Sequence, residues 1–301
     1  MERRQAFLLV LAASFLALLF YVTNPALNKS PKDFPLKEFS RDTTLILTGD
    51  VMLGRSVMTK SLDLGDSTYP FRKVADKLSS ADFVFVNLEN PIVSSCPKVT
   101  TGFKFCADPK MIEGLTLSGV DVVSLANNHS GNYGEKGINE TLKFLKESGI
   151  EAVGLGNLVV KEKKGIKFGF LGFDFVSKSP KEDDFKLVAD SNKKVNVLIV
   201  GVHWGEEYRE KANKFQREWA RKLVEAGADV VVGHHPHWIQ DGEKIEGKSI
   251  YYSLGNFVFD QMWSEKTREG LVMKLTFRDG ALLREEKLPI YMANWAQPEF
   301  R

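Results

Sequence analysis

Short apolar runs alternate with amphipathic stretches from Thr43 onwards. Six runs rich in valine, isoleucine and leucine are typical of buried strands: residues 44–49, 82–88, 120–126, 150–156, 195–203 and 228–234. Three of the stretches between them have helical periodicity: residues 69–81, 135–149 and 213–227. The alternation predicts a largely parallel sheet with helices packed against it.

Turn signals indicate a second kind of structure. Three segments are typical of hairpins that turn on Lys-Gly, Glu-Gly and Asp-Gly: residues 159–175, 243–259 and 270–290. The polar residues 177–194 predict a surface loop with a short helix, or alternatively a lid over a site. The chain therefore combines a part in which strands alternate with helices and a part made of antiparallel strands. The expected fold class is α/β, with two packed mixed sheets and helices outside.

The first 27 residues differ from the rest. Arg3 and Arg4 precede Ala6 to Val22, seventeen residues without a charge. This length is at the lower limit for a membrane-spanning helix, and no small-x-small cleavage site follows it. We expect an uncleaved signal anchor over residues 1–27, a linker over 28–41 and one domain over 42–301. The short N-terminal tail favours a single-pass membrane protein whose domain lies outside the cell.

The two cysteines and the charge balance refine this expectation. Cys96 and Cys106 lie in loop-like sequence, and a disulfide between them would suit an oxidising compartment, although two unrelated free thiols remain the alternative. The net charge of +2 comes from 41 basic and 39 acidic residues that are well interspersed. No segment concentrates positive charge, so the sequence does not indicate nucleic-acid binding.

All five histidines follow predicted strands, together with acidic and amide side chains. The residues just past the strand ends are Asp50, Glu89, Asn127, Asn128, His129, His203, His234, His235 and His237. Because ligands bind beyond the carboxyl ends of strands in open α/β sheets, we expect these side chains to converge on one crevice.

The types of side chain in this crevice predict a metal site. Imidazole, carboxylate and amide ligands without a thiolate suit manganese, iron or zinc. Six or more ligands exceed the need of one catalytic metal, so we expect two divalent ions, with Glu89 bridging them. Alternate residues of an extended segment point the same way, which would bring His235 and His237 to one crevice and turn His234 elsewhere, unless the loop turns at Pro236.

Six ordered motifs resemble the CapA family of capsule-synthesis (poly-γ-glutamate) proteins. They are GDVMLGR, NLENPI, LANNHSGNYG, GVHWGEEY, GHHPHWIQ and YSLGNFVFD, and they span about residues 43–260. The resemblance implies a branch of the calcineurin-like metallophosphatase fold, a four-layer α/β/β/α sandwich of two mixed sheets. It also implies ligand roles, in which Asp50 and His237 bind the first metal, Asn128, His203 and His235 bind the second, and Glu89 bridges both.

The same resemblance implies residues that act on the substrate. His129 would be the acid or hydrogen-bond donor, Arg55 and Asn256 would contact an anionic group, and His234 is a further substrate-binding candidate whose assignment against His235 stays open. Asn256 is alternatively a turn residue. Two positions depart from the pattern, since Met52 replaces a histidine that is usual in phosphatases of this fold and Asn132 replaces an aspartate that is common in the CapA family.

The function implied is that of a membrane-anchored, outward-facing, metal-dependent hydrolase or transferase in capsule synthesis. Its substrate would be an anionic polymer, above all poly-γ-glutamate, and its partners other capsule-synthesis membrane proteins. The metals and Arg55 would stabilise the developing oxyanion while His129 protonates the leaving amine. Two alternatives stay open: a cell-surface metallophosphoesterase, and a non-catalytic component that holds nascent polymer in an assembly or export complex.

Overall fold

Two mixed β-sheets dominate the computed structural model, which describes residues 42–301. The signal anchor and the linker expected before Asp42 lie outside these residues. Within the described part, no helix is long and apolar enough to cross a membrane.

Fourteen strands and seven helices make up the described chain. The strands are β1 (Asp42–Val51), β2 (Phe83–Leu88), β3 (Val122–Ser124), β4 (Glu151–Val153), β5 (Val159–Lys163), β6 (Ile166–Asp174), β7 (Val197–His203), β8 (Val230–His234), β9 (Gly242–Ile245), β10 (Lys248–Tyr251), β11 (Asn256–Val258), β12 (Glu269–Arg278), β13 (Ala281–Asn294) and β14 (Gln297–Phe300). The helices are α1 (Arg55–Asp63), α2 (Ala75–Ser79), α3 (Ile112–Leu117), α4 (Gly134–Glu147), α5 (Glu182–Asn192), α6 (Lys214–Glu225) and α7 (Glu265–Arg268), with a 3₁₀ turn at Pro109–Met111.

Each sheet combines parallel and antiparallel neighbours. The first has the order β14-β13-β12-β1-β2-β3-β4, is parallel from β1 to β4 and antiparallel from β1 to β14, and gains β11 as a short parallel partner of β1. The second has the order β5-β6-β7-β8-β10-β9 and is parallel from β6 to β10. The prediction of two mixed sheets in an α/β fold is therefore confirmed.

Three apolar clusters show how the layers pack. Leu45 of β1 and Phe168 of β6 belong to a cluster between the sheets. Ile46, on the opposite face of β1, packs with Leu115 of α3 in a second cluster. Leu223 of α6 lies in a third cluster, on the outer face of the second sheet. The central strands β1, β2, β6, β7 and β8 are buried on both faces, which explains their continuous apolar sequences.

The hairpin turns form where the sequence predicts them. The three turns Lys164-Gly165, Glu246-Gly247 and Asp279-Gly280 each have positive φ at both residues, as a type I′ turn requires. The middle hairpin is shorter than predicted, however. It ends at Tyr251, and the chain then leaves the second sheet so that β11 pairs with β1 of the first.

One predicted helix is mostly absent from the described structure, and three short helices, α1, α3 and α7, were not predicted. Within 69–81 only α2 is helical, because residues 68–74 form consecutive turns, begun by the Asp66 carboxylate, which accepts hydrogen bonds from Thr68. Helix α1 begins at Arg55, directly after the first motif, and its buried side chains are too few to give a clear period in the sequence. Helix α5 lies within the polar segment 177–194, as expected.

Candidate metal centre

The carboxyl ends of five parallel strands meet at one edge of the two sheets. Strands β1, β2 and β3 belong to the first sheet, and β7 and β8 to the second. The side chains brought together, called the ligand cluster below, are those of Asp50, Glu89, Asn128, His203, His235 and His237. One potential ligand atom from each of Asp50, Glu89 and His203 lies within 4.8 Å of the other two, so this buried group could hold a metal ion.

Glu89 is the least satisfied member of the ligand cluster. Its side chain is fully buried, and neither carboxylate oxygen has a hydrogen-bond partner among the described residues. The nearest imidazole nitrogens to Oε1 are His237 Nε2 at 3.8 Å and His129 Nε2 at 4.0 Å. Burial, reinforced by the charge of Asp50, raises the pKa of Glu89 well above its usual value. Because a buried carboxylate without partners is costly, a cation fits this position.

Asp50 and His237 form a buried pair. The Asp50 carboxylate accepts hydrogen bonds from Asn87 Nδ2 at 2.9 Å and from the His235 backbone at 3.2 Å, and its Oδ2 lies 3.1 Å from His237 Nδ1. Burial disfavours the charged forms of both side chains, but the negative carboxylate and the positive imidazolium stabilise each other. The pKa of Asp50 is consequently lowered, and the charges of Glu89 and Asp50 raise the pKa of His237 to about 9.

The other two imidazoles of the ligand cluster are neutral at neutral pH. Burial, with the neighbouring His237, lowers the pKa of His235 to about 4, and burial lowers the pKa of His203 well below its usual value. His203 Nε2 lies 3.0 Å from Asn128 Oδ1, whereas His235 Nδ1 is buried without a hydrogen-bond partner in the described chain. A neutral imidazole nitrogen with a free lone pair suits a metal ion.

The loop after β8 turns to bring His235 and His237 to the cluster. The sequence analysis expected both to reach one crevice from an extended segment, and that reason was wrong. His235 and His237 have φ values of 95° and 57°, so the segment is not extended. Such φ values in residues other than glycine cost about 1–3 kcal/mol each and persist where neighbouring groups hold them. Here Asp50 accepts the His235 amide, and the Pro236 carbonyl accepts the Tyr208 amide at 2.8 Å.

His234 lies apart from the ligand cluster although it is adjacent in sequence. Its Nε2–H donates to the Thr48 carbonyl of β1 at 3.1 Å, and its side chain is buried. The ring therefore links β8 of one sheet to β1 of the other. This position does not favour the substrate contact expected for His234, because the ring nitrogen faces the interior between the sheets.

His129 lies at the rim of the cluster, where its ring is fixed from two sides. It stacks on Phe105 with ring centroids 3.9 Å apart, and its Nδ1 lies 3.2 Å from Asn132 Oδ1. The same oxygen accepts the Phe105 amide at 2.6 Å, so Asn132 still orients His129 without the usual aspartate. Burial lowers the pKa of His129. The neutral ring thus donates at Nδ1 and directs its Nε2 lone pair towards Glu89.

In the structure the polar groups of Arg55 and Asn256 already bind other protein groups, which does not favour the contacts with an anionic substrate expected for them. The Arg55 guanidinium binds the Asp260 carboxylate through Nε and Nη2 and the Gly102 carbonyl through Nη1, and it covers the Phe105 ring at 4.4 Å. Asn256 is fully buried and places its Oδ1 3.0 Å from His237 Nδ1. Arg55 therefore braces Phe105, and Asn256 orients His237.

The sequence interpretation missed three side chains that shape this centre. Asn87 Nδ2 donates to the Asp50 carboxylate and lies 3.4 Å from His203 Nδ1. Its position as a polar residue inside the apolar run FVFVNL could have identified it as a candidate. Phe105 gave no signal, and Asp260 ends the motif YSLGNFVFD without any indication in the sequence that it pairs with the distant Arg55. Met52, in the place of the usual histidine, is buried in the apolar cluster beside α1 and does not join the ligands.

A disulfide joins Cys96 to Cys106, next to Phe105. It closes residues 96–106, called the disulfide loop below. The loop is also held against α1, since the Thr100 carbonyl accepts the Ser56 hydroxyl at 3.2 Å and the Gly102 carbonyl accepts Arg55 Nη1 at 3.0 Å. The disulfide therefore fixes the segment that carries the ring under His129.

Comparisons with known proteins agree with the sequence motifs. The family described as bacterial capsule synthesis protein PGA_cap matches residues 44–261. The capsule biosynthesis protein CapA of Bacillus anthracis is 33% identical over 82% of this chain and 67% of its own length, and the PGA biosynthesis protein CapA of Bacillus subtilis (strain 168) is 30% identical over 85% and 73%. A hypothetical protein from Thermus thermophilus shares the fold, with a TM-score of 0.54 at 15% identity over 82% of this chain and 98% of its own.

Proposed function

Because the chain belongs to the family of bacterial capsule synthesis proteins, we propose that it acts in capsule synthesis as a metal-dependent hydrolase or transferase. The names of its relatives support poly-γ-glutamate as the polymer. The observation that carries the chemical part of the proposal is the buried Glu89 carboxylate. It has no hydrogen-bond partner in the described structure and lies beside Asp50 and His203.

The donor set fits one or two divalent ions. Carboxylate, imidazole and amide oxygen ligands suit manganese, iron or zinc, and the six residues of the ligand cluster would hold them. When bound, such ions polarise a carbonyl group and stabilise negative charge on its oxygen. We propose the ligand roles implied by the metallophosphatase resemblance, in which Glu89 would help to hold both ions, and the unpaired Glu89 oxygens beside Asp50 and His203 support that role.

The chain's own residues supply orientation and proton transfer. In hydrolysis, water adds to the carbonyl carbon of a γ-amide, the C–N bond breaks, and the amine nitrogen leaves with a proton. We assign that proton to His129 Nε2, which is the free nitrogen because Nδ1 is held by Asn132. In its neutral form His129 first accepts the proton from the attacking water and then gives it to the amine. Phe105 and Arg55 hold the ring in place.

We further propose that residues 1–27 anchor the protein in the cell membrane with the domain outside. The uncharged run from Ala6 to Val22 supports an anchor, and the Cys96–Cys106 disulfide is of a kind that persists in oxidising compartments. In that location the domain would meet the polymer and other capsule-synthesis membrane proteins.

The test is cleavage of poly-γ-glutamate by the full-length chain after metal depletion and reloading with manganese, iron or zinc. Polymer length by gel filtration should fall with the native chain and should not fall with Glu89→Gln. Glu285→Gln makes the same chemical change outside the ligand cluster, beside Lys244 and Tyr251, and should behave as native. Turnover of a generic phosphodiester without polymer cleavage would instead support a phosphoesterase. Polymer binding without cleavage by any loaded form would support a non-catalytic component.

A further inference from the structure

A groove opens beside the ligand cluster, and the proposed capsule function gives it no occupant. One wall is the disulfide loop, and the other consists of residues 260–263 and Trp295 in the turn between β13 and β14. The lining of this aromatic groove comprises Arg55, Ser56, Thr100, Thr101, Gly102, Phe103, Tyr208, Asp260, Gln261, Trp263 and Trp295. Its inner end adjoins the cluster, because the Tyr208 ring lies 6.1 Å from the His237 ring.

Exposed aromatic rings are concentrated in this groove. Within residues 42–301, four phenylalanine and tryptophan side chains expose more than a third of their surface, and three of them line it: Phe103 at 83%, Trp263 at 61% and Trp295 at 39%. Trp263 is set edge-on against Tyr208, with centroids 5.1 Å apart. Exposed apolar side chains gathered in one place mark a binding surface, whereas single scattered ones need no explanation.

The lining of the groove is electrically neutral. Its charged side chains are Arg55 and Asp260, which form a largely buried pair, with 12% and 4% of their side chains exposed. The other polar groups of the lining are the hydroxyls of Ser56, Thr100, Thr101 and Tyr208 and the amide of Gln261. A polyanion with a carboxylate on every residue needs cations along its path, and this lining offers it none.

We propose that the aromatic groove binds a neutral saccharide chain. A sugar ring has an apolar C–H face, which suits Trp263, Trp295 and Phe103, and a hydroxyl edge, which suits uncharged donors and acceptors such as Thr101 and Tyr208. The saccharide would lie next to the ligand cluster without entering it. This binding goes beyond the proposed function, because none of the groove residues named here belongs to the ligand cluster.

Calorimetric titration of the full-length chain in 0.15 M salt tests the proposal. The probes are an N-acetylglucosamine tetramer, a glucose tetramer, poly-γ-glutamate and adenosine. We expect saturable binding of at least one tetramer, weakened at least about tenfold in Trp263→Ala and largely restored in Trp263→Phe, which keeps a stacking face. Phe215→Ala removes an exposed ring on α6 outside the groove and should bind as native. The His235→Ala/His237→Ala variant should also bind, which separates this result from the metal hypothesis.

Three results would overturn the proposal. The first is no binding of either tetramer at millimolar concentration. The second is tetramer binding that Trp263→Ala and Trp295→Ala leave unchanged. The third is binding of poly-γ-glutamate or adenosine, with neither tetramer bound, that Trp263→Ala abolishes, since that would assign the groove to a polyanion or a flat heterocycle.

Discussion

The ligand cluster and the aromatic groove are adjacent, but the first is buried and charged and the second is exposed and neutral. The cluster is buried and holds two carboxylates among imidazoles, with the oxygens of Glu89 unpaired in the described structure. The groove is open, its aromatic rings face solvent, and the charges of its one ion pair, Arg55 and Asp260, cancel each other. The unpaired buried carboxylate lowers the stability of the fold, and a bound cation would offset that cost, whereas the groove offers exposed stacking faces.

The boundary between the two regions is a stack of three side chains. The Phe105 ring has Arg55 4.4 Å from its centroid and the His129 ring stacked on it at 3.9 Å. Phe105 itself lies in the disulfide loop, next to Cys106. A change on one side of this stack should therefore be felt mainly on that side. The following variants test that separation, from the largest expected effect to the smallest.

Glu89→Gln should have the largest effect. It keeps the shape of the side chain but removes the charge, so metal affinity should fall by about 100-fold or more, while the metal-depleted chain at pH 8 should unfold with a free energy about 1–2 kcal/mol higher. Elemental analysis and urea unfolding measure the two quantities, with Glu285→Gln as control. A variant that binds metal as the native chain does would remove Glu89 from the centre.

Asp260→Asn should destabilise the fold without reducing the metal content of the ligand cluster. It leaves the largely buried Arg55 guanidinium without its counter-charge, and we expect a loss of about 3 kcal/mol in the free energy of unfolding. Asp63→Asn, which breaks the exposed ion pair with Lys98, should cost less than about 1 kcal/mol. Metal content should stay native in both variants. Loss of metal in Asp260→Asn would mean that the stack couples the two regions.

Removal of the disulfide should affect the groove and spare the ligand cluster. Cys96→Ser/Cys106→Ser opens a short closed loop, for which chain entropy predicts a loss of about 2–3 kcal/mol. Saccharide binding should weaken as that wall loosens, and bound metal should be unchanged. Unaltered thermal unfolding together with unaltered saccharide titration would contradict this account of the loop.

The pH dependence of metal affinity should reflect His237 alone among the cluster histidines. The pKa of His237 is raised to about 9, so its proton stabilises the metal-free fold below about pH 6.5, and that contribution is lost as the pH rises towards 9. A metal ion must displace this proton. Apparent affinity should therefore rise about tenfold per pH unit between pH 7 and 9. A flat profile over this range would contradict the release of a proton from His237 when metal binds.

Much of the fold and most of the cluster could be predicted from the sequence. Buried parallel strands give apolar runs, and a polar residue directly after such a run lies at the edge where parallel strands end together. That reasoning located Asp50, Glu89 and His203 without a structure. The hairpin turns could also be predicted from short sequences, because a pair such as Asp279-Gly280 favours a tight turn by its own backbone preferences.

The rest depends on contacts between distant segments. The sequence analysis expects Arg55 to contact an anionic substrate, but in the structure Asp260, 205 residues away, neutralises its charge. His234 and His235 are adjacent, yet one bonds to Thr48 in the other sheet and the other turns into the cluster through a positive φ. The groove gave no pattern either, since its rings come from residues 103, 263 and 295. Pairings of this kind are set by how the two sheets and their loops pack, which local periodicity does not encode.

The measurement that tests the central claim most directly is the metal content of the full-length chain. It should be determined by elemental analysis of the native protein, of His235→Ala/His237→Ala and of His234→Asn. The account predicts about two divalent ions per native chain, loss of most of that metal in the double variant, and retention in His234→Asn, because His234 lies between the sheets. A native chain that takes up no manganese, iron or zinc when each is offered, or a double variant that binds as the native chain does, would contradict it.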